Sequence, residues 1–191
     1  MKTLLVLFLF LPLLTFAKPP EYKMMLGNYQ ALYIVDLDGR LIGAGSGLAV
    51  SPTRVVTCFH LLKEGTAILN TDQLEAKVVA VEPAYDLALL EFAGARFVSQ
   101  VRYAEGATVG EELYMIGNGL MISGLWQNYR VAKVAPWEVT IFPMPVPGDS
   151  GGAVYNAKGE VVGLIRAGKS AGWGSGVGYV TPHTFFRKLL R

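Results

Sequence analysis

A serine set between glycines, in Gly148-Asp-Ser-Gly-Gly152 just ahead of the apolar Ala153-Val154, is the residue of this sequence best suited to act as a nucleophile. Gly148 and Gly151 let the backbone turn sharply, so that the hydroxyl projects and nearby amides point the same way. A serine hydroxyl attacks poorly unless a base stands beside it, so the site calls for a histidine and, behind it, a carboxylate. Both occur upstream. Val55-Val-Thr-Cys-Phe-His60 is a β-rich run ending in a histidine, and Asp86 puts a carboxylate at the mouth of the apolar run Leu87-Ala-Leu-Leu90. Histidine, aspartate, serine is one of the chain orders in which such triads occur. Each residue also has a plainer reading: Ser150 in an ordinary Gly-rich turn, His60 as a satisfied core histidine, Asp86 as the cap of a strand end. The three in this order favour nucleophilic chemistry.

The elements that must position these residues read as strands. Ala31–Val35 runs into the turn signal Asp38-Gly39 before apolar residues resume at Leu41. Short apolar runs follow at 47–50, 54–57, 76–81, 86–92, 112–116, 129–134, 138–142, 152–155, 160–166 and 177–180. Gly, Pro, Asn or Asp punctuate them at the spacing of an all-β sandwich or barrel. A sustained helical period is missing until the end, where Thr181 is expected to cap a short helix with Phe185, Phe186, Leu189 and Leu190 on its apolar face. His183 then falls in an exposed first turn. A less apolar stretch over 93–110 divides the strands into two sets, which predicts an N-terminal unit over 18–97 and a C-terminal unit over 98–191.

Composition narrows the classes. The 191 residues are 52% apolar and 17% charged, which excludes a disordered chain. One cysteine excludes a disulfide scaffold or a multi-thiolate metal site, and Cys58 reads as a buried small hydrophobe. No metal or cofactor is expected. A net charge of +2 without a basic run argues against a nucleic-acid partner. Met1-Lys2, the apolar run Leu4–Ala17 and Lys18-Pro-Pro20 describe a secretory signal peptide over 1–17, too short for a bilayer span and interrupted by Pro12. The expected location is therefore secreted or periplasmic, with an uncleaved membrane anchor as the alternative. Gly43-Ala-Gly-Ser-Gly47 is not a dinucleotide fingerprint, because a β-rich run and not a helix follows it.

Gly45-Ser-Gly-Leu48, Val56-Thr-Cys-Phe-His60, Asp86-Leu-Ala-Leu-Leu90 and Gly148-Asp-Ser-Gly-Gly152 together resemble the chymotrypsin/trypsin superfamily of serine proteases. Ala76-Lys-Val-Val79 ahead of Asp86, followed by Ile116-Gly-Asn118, is closer to its HtrA-like branch, here without a PDZ domain. The resemblance runs from about Leu41 to Leu190. It implies an all-β fold of two perpendicular six-stranded antiparallel barrels with a short C-terminal helix, and an active site in the cleft between them. It implies a serine endopeptidase with a peptide or protein substrate: Ser150 attacks, His60 shuttles the proton, Asp86 holds the imidazole, and the N–H groups of Gly148 and Ser150 form the oxyanion hole. It places Met144, Arg166, Ala167, Gly168 and Val177 around the substrate-binding pocket, and the apolar Met144 implies an apolar residue before the scissile bond.

Some positions depart from that pattern. The HtrA-like branch usually carries Asn where this chain has Asp149. In the secreted trypsin-like enzymes the Asp pairs with a new N-terminus, but no Ile-Val-Gly-Gly-like segment supplies one, so Asp149 lacks an assigned partner. Phe59 stands where a small residue is usual. Two other readings stay open: a catalytically silent peptide-binding module on a protease fold, and a dedicated viral or phage-like processing protease. Nothing in the sequence identifies an oligomer contact.

Overall fold

A computed structural model describes residues 21–172 and 175–191; the expected signal peptide lies outside the described residues. Six strands build a first sheet: β1 (Tyr29–Val35), β2 (Leu41–Ala49), β3 (Arg54–Thr57), β4 (Ala67–Leu69), β5 (Ala76–Glu82) and β6 (Leu87–Phe92). Their order is β4-β1-β2-β3-β6-β5, and a bridge between Leu69 and Glu75 joins the two outer strands into a ring. The second sheet holds β7 (Arg102–Tyr103), β8 (Glu112–Gly117), β9 (Leu125–Ala135), β10 (Glu138–Phe142), β11 (Ala153–Tyr155), β12 (Glu160–Gly172) and β13 (Ser175–Pro182). Here β11 pairs with both β8 and β12, so six strands close a second ring. The two-residue β7 lies outside it, parallel to β12. Closure leaves few unpaired edges for other chains to add to.

Burial follows the apolar runs. One cluster fills the first ring around Leu32, Val55, Leu90 and Phe92, and another fills the second around Leu113, Val131, Ile141 and Val180. A third joins the two sheets, with Leu48, Val56 and Leu89 packed against Ile116, Tyr155 and Leu164. Each fully buried Leu or Phe contributes about 1.5–3 kcal/mol relative to an exposed one, so this central cluster holds the rings in a fixed relation across the cleft.

Two helices flank the strands. α1 (Tyr22–Asn28) sends Met25 into the central cluster. The periodicity did not signal it, since two turns are too few to show a repeat. Its last residue clamps the connection between the sheets: the Asn28 amide donates to the Gln100 carbonyl (3.1 Å) and accepts from the Gln100 N–H (2.8 Å). α2 (His183–Phe186) differs from expectation in its start. Thr181 lies in β13 and does not cap the helix; its hydroxyl donates instead to the Tyr85 carbonyl (3.1 Å). His183 is buried, not exposed, because Nε2 bonds the Ala104 carbonyl (2.8 Å) and the ring packs on Tyr103. Burial holds its pKa below the ordinary histidine value.

Candidate active site

Strand register brings His60 and Asp86 together. Thr57 of β3 pairs with Ala88 of β6, so the residues just beyond β3 lie opposite those just before β6. The Phe59 N–H donates to the Asp86 carbonyl (3.1 Å), and the chain then turns through a short 3-10 segment, Phe59–Lys63. Asp86 sits at a left-handed backbone position, φ +56°, after the 3-10 turn Pro83–Tyr85. From there its carboxylate holds residue 60 at two points. Oδ1 accepts the His60 backbone N–H (2.8 Å), and Oδ2 lies 2.6 Å from Nδ1. With a carboxylate accepting, the ring must donate from Nδ1, which leaves Nε2 as the basic nitrogen. The hydrogen bond to Asp86, opposed by partial burial, raises the His60 pKa above the ordinary value.

Ser150 comes from the other sheet, in the turn before β11. The chain there passes Gly148 (φ +96°) and Gly151 (φ +83°), where side chains are strained. There is also no room for one. A Cβ on Gly151 would lie 2.1 Å from Thr57 Oγ1 and 3.0 Å from the Cys58 nitrogen. Glycine thus lets the turn press against the segment that carries His60. Ser46, in β2, ties the two sheets at this point: its N–H donates to the Ser150 carbonyl (2.8 Å), and its hydroxyl donates to the Gly148 carbonyl (2.8 Å) and accepts from the Asn118 N–H (2.8 Å). The motif Gly45-Ser-Gly-Leu pointed to this region, but only the contacts assign Ser46 a task.

Ser150 lines the same cleft as Leu61 and Glu64, one and four residues past His60. Among the described residues the Ser150 hydroxyl has no hydrogen-bond partner, and Nε2 of His60 faces Glu64 Oε1 at 3.9 Å. The Ser150–His60 bond is thus not formed here; catalytic hydrogen bonds of this kind often tighten only with substrate in place. In the turn itself the N–H groups of Asp149, Gly151 and Gly152 are bonded to Val146, Ile165 and Asp149 carbonyls. Those of Gly148 and Ser150, two residues that line the cleft, have no acceptor among the described residues.

Asp149, whose partner the sequence left unassigned, is fully buried beneath this turn. Oδ1 accepts from Gln127 Nε2 (2.6 Å), while Oδ2 accepts from the Val146 N–H (2.9 Å) and lies 3.1 Å from the Tyr129 hydroxyl. Neighbours on β9 thus give Asp149 neutral hydrogen-bond donors and no opposite charge. Burial still raises the Asp149 pKa, since three donors offset only part of the desolvation. Tyr129→Phe removes one donor from a buried carboxylate and should cost about 1–3 kcal/mol. That change raises the folded-state pKa further, so the loss should be larger at neutral pH than below the carboxylate range, read by denaturant melts at both.

The other expected site residues divide. Met144, Ala167 and Gly168 line a cavity of about 250 Å³ that ends at Ser150, joined by Val146 and Ile165. Arg166 and Val177 do not line it. The Arg166 guanidinium pairs with Glu138 (2.5 Å), and Val177 stands opposite Lys169 along β13. Met144 wedges between two glycines: a Cβ on Gly168 would lie 2.6 Å from its Cγ, and one on Gly176 3.0 Å from its Sδ.

Cys58, His60 and Asp86 bring possible ligand atoms within 4.8 Å of one another. The set is ill suited to a metal. Burial pushes the Cys58 thiol well up, keeping it protonated, and the thiol donates to the Ile165 carbonyl (3.2 Å).

Residues 45–164 match a family model described as trypsin-like peptidase domain. The chain is 28% identical over 168 residues to a DegP-like periplasmic serine endoprotease from Brucella suis, covering 79% of this chain and 33% of that protein. It is 30% identical over 136 residues to another from Ectopseudomonas mendocina, covering 63% and 28%. It therefore spans about a third of the length of these curated relatives. In fold it superposes on a Mycobacterium tuberculosis protease in its active form, with TM-score 0.74, 21% identity and coverage of 91% and 87%. A serine endoprotease from Yersinia pestis superposes with TM-score 0.74, 19% identity and coverage of 91% and 66%. Two barrel-like sheets with a short C-terminal helix are the architecture these share with it. No helix among the described residues is long and apolar enough to cross a membrane.

Proposed function

Because the chain belongs to the trypsin-like peptidase family, we propose that it is a serine endopeptidase with Ser150 as nucleophile, His60 as proton shuttle and Asp86 as the orienting carboxylate. The observation that supports this reading is the two-point hold of Asp86 on His60, which leaves Nε2 as the basic nitrogen, beside Glu64 of the cleft that Ser150 lines. Ser150 Oγ attacks the peptide carbonyl carbon as Nε2 takes its proton. The resulting oxyanion lies against the Gly148 and Ser150 N–H groups, a donor pair of the kind worth roughly 3–4 kcal/mol each. The imidazolium, stabilised by Asp86, then protonates the leaving amine; water repeats the sequence to release the acid and free Ser150. In this reading 18–97 supplies His60 and Asp86 and 98–191 supplies Ser150.

The Met144 cavity takes the side chain preceding the scissile bond. Its walls are apolar and Arg166 is tied to Glu138, so a small or medium apolar residue fits and a charged one does not. Export belongs to the same reading, supported by the composition of 1–17 and by the periplasmic description of the relatives. The deciding experiment is labelling with a fluorophosphonate: the folded wild type is expected to be modified at Ser150 and Ser150→Ala not at all. A folded wild type that stays unlabelled leaves only the silent binding module.

The pH profile offers a separate check. Because the His60 pKa is raised, its charged pair with Asp86 adds stability below the unfolded-state value and loses it as pH climbs through the folded-state value. Activity runs the opposite way, since the base must be neutral. kcat/KM should therefore rise with pH through an apparent pKa above about 6.5, the unperturbed histidine value.

A further inference from the structure

A second cavity, of about 580 Å³, also meets Ser150 and is lined by none of Met144, Ala167 or Gly168. The two cavities share only Pro147 and Ser150 among their lining residues. If the acyl side of a peptide fills the Met144 cavity, the chain beyond the scissile bond must enter this one. The same assignment follows from His60, which protonates the leaving amine and whose Nε2 faces Glu64 on this wall.

The cavity combines one carboxylate with long apolar walls. Leu120 and Met121, 60% and 57% exposed, stand on it beside Ile42 and Leu61. Both loop residues hold left-handed backbone angles, φ +54° and +61°, a conformation that persists only where surroundings impose it. Here the Leu120 N–H donates to the Pro147 carbonyl (2.7 Å), binding the loop to the turn that carries Ser150. Glu64 is about half exposed, and no Lys or Arg among the described residues pairs with it. Its neighbour Lys63 lies over the Phe59 ring instead, 4.6 Å from the centroid. Past Glu64 the surface continues into a groove lined by Asp36, Asp38 and Lys63, where Arg40 pairs with Asp38 (3.7 Å), so Glu64 is the carboxylate that faces the cavity itself.

An anionic group at the end of an apolar trough suits a long basic side chain, whose methylenes cover apolar surface while the charged head pairs. We propose that Glu64, with Ile42, Leu120 and Met121, forms a subsite for Lys or Arg immediately after the scissile bond. The inference rests on the peptidase reading for the direction in which substrate crosses Ser150.

The test uses peptides of one sequence that differ only in the residue after the scissile bond: arginine, norleucine or glutamate. Norleucine keeps an apolar stem and removes the charge. With the wild type, kcat/KM for arginine should exceed that for norleucine by up to about fivefold, the upper end for an exposed ion pair, and glutamate should be worst. In Glu64→Gln the arginine-to-norleucine ratio should fall to about one, whatever happens to absolute rates through His60. The same peptides are titrated calorimetrically into full-length Ser150→Ala, which reads the subsite without turnover. Arginine preference in binding with no hydrolysis by the wild type overturns the peptidase reading and keeps the subsite. Equal binding of arginine and norleucine peptides, or a preference that survives in Glu64→Gln, overturns the subsite.

Discussion

Replacing Ser150 with alanine, or His60 with alanine, should lower kcat by roughly a millionfold, and the double variant should be scarcely worse than either. In the proposed mechanism the two side chains act as one device. An unassisted hydroxyl and a base with nothing to deprotonate each lose the same covalent route, so the second substitution has little left to remove. What survives comes from the Gly148 and Ser150 amides and from substrate binding, worth about a thousandfold over water in comparable sites. The structure limits side effects. Among the described residues, residue 150 is held by its backbone, through the carbonyl that accepts from the Ser46 N–H, and alanine keeps that bond. His60 is anchored by its backbone N–H to Asp86, which His60→Ala also keeps. Single-turnover kinetics on a peptide with an apolar residue before the scissile bond measures all three variants. Additive losses would mean that the residues act separately and that the shuttle does not operate.

Asp86→Asn should cost about 10⁴-fold in kcat while the fold is retained. Asparagine is the informative substitution at this position because residue 86 has φ +56°, which Asn tolerates better than most residues. Its carbonyl can accept only one of the two bonds Asp86 now receives. If it accepts from the His60 N–H, the amide NH₂ faces Nδ1 and drives the ring to the tautomer with its proton on Nε2. That nitrogen then cannot take a proton from Ser150. The raised pKa of His60 should fall as its chief cause disappears, so the residual activity should titrate at lower pH than in the wild type. Alanine would confound the test by adding backbone strain to the lost charge. A circular-dichroism spectrum and melting temperature close to wild type, together with the kinetic loss, would separate a misoriented base from a misfolded barrel.

The sequence by itself singled out the candidate reacting groups and determined the fold that carries them. Glycines around Ser150, a β-rich run ending at His60 and a carboxylate opening an apolar strand are local patterns, and local patterns survive in one dimension. Strand runs were legible for the same reason: alternation and β-branching leave a trace within five or six residues. The three-residue β4 and two-residue β7 are too brief to leave one, and α1 is too short to show a period. Tertiary structure alone decided whatever depends on residues far apart in the chain. Asp149 finds Gln127 and Tyr129 some twenty positions away because β9 passes beneath its turn, and a buried carboxylate without donors would be untenable. His183 is drawn inside by a carbonyl 79 residues earlier, against the local expectation of an exposed helix turn. Arg166 pairs with Glu138 instead of lining the Met144 cavity, and Glu64 comes beside His60 because the 3-10 segment Phe59–Lys63 sets the two four residues apart on one side. Side-chain chemistry is written residue by residue, whereas the partner that satisfies each charge is chosen by packing.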